Sequence, residues 1–161
     1  IGKQHGKGYS LRYNFSHILN NKDIINFFIS RLVIGTPTLR HGVGTNNFVQ
    51  RNSPLGWEYG SDGLENKLGL RFHRKNNFIY TLYFRDIKIG QENIKQRSYD
   101  PYPDYMKGKF PSGTISNFFY LYSDLSLKLN KNLNLFFEGV LSLNKKSVGS
   151  SKVLVGITIT S

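Results

Sequence analysis

Asp100 and Asp104 stand in the stretch YDPYPDY, and two neighbouring carboxylates are common equipment for acid–base chemistry. Their setting points elsewhere, because a stretch built of tyrosines and prolines reads as a stiff surface segment. The histidines His5, His17, His41 and His73 fall in different segments. None has the His-Glu-x-x-His or Cys/His spacing of a metal centre. GKGYS near the start and GVG at 42–44 contain glycines that suit a phosphate-cradling turn, but neither opens a helix, as such a cradle requires. No catalytic residue, cofactor or metal is expected, and the chain reads as non-enzymatic.

Sugar recognition has better support. Sugars are held by aromatic faces flanked by hydrogen-bonding groups, and an arginine fork grips an acidic sugar's carboxylate through two parallel bonds. Arg40, Asn46, Asn47, Arg51, Trp57, Tyr59 and Asp62 all lie between 37 and 63. Arg97, Tyr99, Tyr102, Tyr105 and Lys107 lie between 91 and 113. These aromatics equally suit the girdle of a membrane barrel, or packing of loops over a barrel mouth.

The elements that must position these residues are strands. Tyr9, Leu11, Tyr13, Phe15 and Leu19 alternate with Ser10, Arg12, Asn14 and Ser16. Leu64, Leu68, Leu70 and Phe72 oppose Glu65, Lys67, Gly69, Arg71 and His73, with Asn66 the one break in the apolar set. The same period of two runs through Ile115–Leu129, Leu133–Leu143 and Val153–Ile159. Two further stretches, 24–36 and 78–90, are apolar but mixed in phase; in the second, Phe78, Tyr80, Leu82 and Phe84 share a face. Residues spaced by two would scatter around a helix, so the pattern predicts about seven strands. Tight turns at Asn20–Asp23, Lys75–Asn77 and Asn130–Asn132 alternate with long connectors at 37–63, 91–113 and 144–151. In an up-and-down antiparallel meander, all tight turns then fall at one end and all long loops at the other. Short turns, long loops and long strands together are the pattern of an outer-membrane β-barrel.

The composition fits this reading. The 161 residues correspond to one domain, and 14% of them are aromatic at a mean hydropathy of -0.38, because lipid-facing residues alternate with polar ones. No apolar run approaches the roughly 18–20 residues of a membrane-spanning helix. Without cysteine, disulfides and thiolate metal sites are excluded. The formal charge of +12 comes from scattered Lys and Arg, many of them in turns, with no nucleic-acid-binding signature. The expected partners are therefore polyanions such as acidic polysaccharide or lipid head groups, not nucleic acid. On the polar face, Arg12, Lys67, Arg71, Asp124, Lys128 and Glu138 are expected to point into a lumen. Seven strands leave two edges, which a membrane does not tolerate, so the rest of a barrel or another chain is expected to close the sheet.

The run Gly42–Phe72, GVGTNNFVQRNSPLGWEYGSDGLENKLGLRF, resembles the external-loop-to-strand passage of the capsule-assembly (Wzi-like) outer-membrane β-barrel family, with Arg51, Asn52, Pro54, Leu55, Gly56, Gly60, Ser61 and Asp62 as the matching residues. The resemblance covers about 30 residues. It implies residence in the bacterial outer membrane and binding or organisation of surface polysaccharide without chemistry. The chain is shorter than such a barrel, so a C-terminal portion is expected, and it ends in ITITS instead of a terminal aromatic. A porin or transporter barrel passing small anionic solutes remains an alternative reading, as does a soluble β-barrel binding module.

Overall fold

Alternating apolar and polar residues bury one face only when they are extended, and the β-branched and aromatic content of these stretches favours that geometry. The computed structural model describes residues 8–20, 23–38, 49–50, 53–54, 56–75, 77–96, 108–130, 132–142 and 151–159. The chain is all-β. Seven long strands form one open antiparallel up-and-down sheet: β1 (Tyr9–Asn20), β2 (Asp23–Ile34), β5 (Gly63–Arg74), β6 (Phe78–Ile89), β7 (Ser116–Lys128), β8 (Leu133–Ser142) and β9 (Ser151–Ile159), paired in chain order. The mixed-phase stretches at 24–36 and 78–90 are strands like the others. A second, two-stranded sheet pairs β3 (Val49–Gln50) with β4 (Ser53–Pro54) inside the long connector after β2.

The register preserves the two faces. Leu121, Leu125 and Leu127 of β7 stand opposite Leu141, Phe137 and Leu135 of β8. The last two continue onto Val155 and Ile157 of β9. On the other face Tyr122, Asp124 and Lys128 meet Val140, Glu138 and Asn134. The tight turns close as their residues dictate. Lys75 takes a left-handed φ of 46° while the Asn77 amide donates to the Arg74 carbonyl, and Asn130 Oδ1 accepts from the Asn132 amide.

Contacts divide the chain into two compact units. The first comprises Ile1–Leu11, Arg31–Asn66 and Ile87–Asn117. It holds the buried core among the described residues, with Val33, Trp57, Leu64, Ile87 and Ile94. The second comprises Arg12–Ser30, Lys67–Asp86 and Phe118–Ser161. There the apolar face is open: Phe15, Leu68 and Val155 expose 64%, 59% and 72% of their surface. Aromatic pairs Phe72–Phe78 and Phe84–Phe119, each with ring centroids 6.0 Å apart, tie neighbouring strands together on that face.

Candidate functional site

The polar face of the second unit carries a basin of about 300 Å³, built by one or two residues from each of five strands. β1 supplies Arg12, β2 Phe28, β5 Lys67 and Arg71, β6 Thr81 and Tyr83, and β7 Tyr122 and Asp124. Alternation puts Lys67, Gly69 and Arg71 on one side of β5. Gly69 is essential to the geometry, because a Cβ there would lie 2.5 Å from Tyr83 Cβ and 2.6 Å from Phe28 Cζ. The missing side chain leaves room at Gly69 for the tip of the Phe28 ring and the base of the Tyr83 side chain, between two cations. Gly69→Ala is therefore expected to push both rings aside and cost about 1–3 kcal/mol. The check is a thermal melt together with the near-ultraviolet dichroism of the tyrosines.

The rings and cations form a continuous series. Arg12 lies over Phe28, 5.9 Å from its centroid. Phe28 is tilted against Tyr83 at 6.3 Å, and Tyr83 stacks on Tyr122 at 4.4 Å with 23° between planes. Lys67 Nζ sits 4.9 Å from the Tyr83 centroid. Each such cation–ring contact stabilises by about 0.5–1 kcal/mol at exposed sites. Arg71 Nε donates to Thr81 Oγ1 at 3.2 Å, which holds the guanidinium in place. Of the six residues expected to face a lumen, Arg12, Lys67, Arg71 and Asp124 line this basin. Lys128 and Glu138 share its face of the sheet, Glu138 directly opposite Asp124, without lining it. Nearer the tight turns, a second hollow of about 520 Å³ is lined in part by Ile18, Ile24 and Ile79, so this face is not polar throughout.

The loop residues expected to bind sugar have a different placement. Asp62 is fully buried, and its carboxylate accepts four hydrogen bonds. Thr36 Oγ1 (2.9 Å) and the Ser112 amide (3.1 Å) donate to Oδ1, and the Glu92 amide (3.1 Å) and Ser112 Oγ donate to Oδ2. A carboxylate offers about four acceptor positions, so all are used within the protein. Asp62 is thus a clasp joining loop bases, not an open ligand-binding side chain. Its left-handed φ of 55° is one that aspartate tolerates. Trp57 is likewise buried, with Nε1 donating to Glu65 Oε2 at 3.1 Å, while half-buried Tyr59 packs against it at 5.3 Å between ring centroids. Trp57 fixes the local chain instead of presenting a flat face to a sugar.

Asn93, also buried, completes this cluster by donating from Nδ2 to the carbonyls of Tyr59 and Ser61. Arg40, Arg51, Arg97, Tyr99, Tyr102 and Tyr105 lie outside the described residues. Phe28, Thr81 and Tyr83 belong to the basin but escaped the sequence reading, because they sit on the two strands whose phase was mixed. The signal was the complement of the apolar set: with Phe78, Tyr80, Leu82 and Phe84 on one face, Thr81 and Tyr83 fall on the other. Among the described residues, no group of His, Cys, Asp and Glu is arranged to hold a metal ion. Comparison with protein-family models, curated proteins and solved structures finds no match to the chain, which leaves the basin and the two-faced sheet as the features that bear on its role.

Proposed function

We propose that the chain forms part of a bacterial outer-membrane β-barrel that binds or organises an acidic surface polysaccharide, without catalysing a reaction. The observation that carries this reading is the two-faced sheet. One face exposes long apolar residues on several strands, while the other gathers cations and aromatic rings into one hollow. Water makes such an apolar face costly at roughly 25 cal/mol per Å², whereas a bilayer core accepts it. By alternation, Arg31, Asn66 and Asp86 interrupt the apolar rows of β2, β5 and β6. β1 and β9 stand at the sheet edges, and in this reading they pair with further strands, from the remainder of the barrel or from another chain. The basin's cations and rings are the groups that hold acidic sugars.

The intact protein is expected to leave cell envelopes only with detergent and to run faster on gels before boiling than after. It is also expected to stay on an acidic-polysaccharide column while planar bilayers remain silent. Steady anion conductance without polysaccharide retention would replace this reading with a porin or transporter for small anionic solutes. Release by salt alone would instead identify a soluble β-barrel binding module.

A further inference from the structure

The geometry points to the basin as a subsite for a single carboxylate-bearing sugar residue, gripped by Arg71 and Arg12. Among the described residues, no carboxylate pairs with either guanidinium: Arg71 is held through Nε by Thr81, and Arg12 lies over Phe28. With Nε engaged, the two Nη groups of Arg71 remain for the bidentate grip that matches a carboxylate. Lys67 adds a third positive charge to the same hollow.

Asp124 narrows the ligand class. A small inorganic anion entering this hollow gains from the cations but is repelled by the Asp124 carboxylate in its wall. A sugar acid brings both complements, with a carboxylate for the guanidinium and hydroxyl donors for Asp124. The rings of Tyr83 and Tyr122 supply an apolar wall for the C–H groups of a pyranose, and about 300 Å³ is at the lower end of small-molecule sites. The site takes one sugar unit at a time, either from a polymer threading the polar face or as a free acid. Its ligand class rests on the polysaccharide reading above; the placement of the Arg12 and Arg71 guanidiniums in the hollow does not.

The test uses the intact protein in detergent micelles and isothermal titration with three probes: an oligosaccharide of alternating glucuronate and N-acetylglucosamine, its carboxyl-reduced neutral counterpart, and free glucuronate. The acidic oligosaccharide is expected to bind at least about tenfold more tightly than the neutral one. Arg71→Gln should abolish that difference, Arg71→Lys should restore only part of it, and Arg12→Gln should lower it independently. Unchanged heat-modifiable migration certifies that each variant is folded. Binding of free glucuronate that Arg71→Gln weakens by the same factor places recognition in one sugar unit. Acidic-oligosaccharide binding that survives both arginine substitutions overturns the subsite while leaving the polysaccharide reading intact. Equal affinity for acidic and neutral chains also overturns it, and binding of none of the three probes overturns both.

Discussion

Asp62→Asn is expected to destabilise the loop-bearing unit by about 1.5–3 kcal/mol, although it removes only a charge and swaps one oxygen for nitrogen. Asparagine tolerates the left-handed φ of 55° as well as aspartate does, so the backbone is not the cause. The cause lies in the donors. Each carboxylate oxygen receives one backbone amide, Ser112 N on Oδ1 and Glu92 N on Oδ2. A hydroxyl can rotate away from an intruding donor, but a backbone N–H cannot. Whichever way the asparagine amide turns, its NH₂ faces a fixed donor in a site without water access. The Gly90 backbone packs close against this carboxylate, where even a Cβ would lie 2.7 Å from Asp62 Cγ. The measurement is amide hydrogen exchange at Glu92 and Ser112, with limited proteolysis of the connectors. Unchanged protection of both amides would show that the clasp is not what holds these loops.

The second large effect separates lipid from water. Leu70 lies on the apolar row of β5 between Leu68 and Phe72, and Leu70→Arg is expected to cost about 2–4 kcal/mol in a bilayer. A partly exposed surface position in water would lose only about 0.5 kcal/mol for the same change. Ser126→Arg, on the polar face of β7, serves as the companion and is expected to be nearly neutral. Urea titration of the folded protein in phosphatidylcholine vesicles gives both values. Equal values for the two variants would remove the lipid-facing assignment of that face.

Much of the fold was legible because a period of two is a direct imprint of strand geometry. Leu64–Phe72 and Leu121–Leu127 needed no tertiary information to be placed, and the Asn-rich turns set the strand order. The β3–β4 pair escaped because two residues per strand carry no period. The basin was legible only in part. Alternation put Arg12, Lys67, Arg71 and Asp124 on polar faces, but convergence depends on the register between strands and on the gap at Gly69. Asp62 and Trp57 were read as candidate ligand-binding residues because an aspartate or tryptophan in a glycine-rich connector looks the same whether it meets a ligand or its own chain. Burial of a polar group is decided by partners such as Thr36 and Ser112, which are 26 and 50 residues away. Local pattern carries no trace of them.

The Asp62 clasp also bears on how this surface can diversify. The connector after β2 has its feet joined by Thr36 and Asp62, and the connector after β6 has its feet joined where the Gln91 amide donates to the Ser112 carbonyl at 2.8 Å. A loop closed at its base transmits little of its own length to the sheet, since each doubling costs only about 0.6 kcal/mol of closure entropy. Only the sequence outside the buried residues near those feet, Trp57, Ser61, Asn93 and Ile94, is therefore free to lengthen or shorten while the strands keep their register. The clasp makes the strands and the connector bases a chassis, and confines change to what lies between the bases.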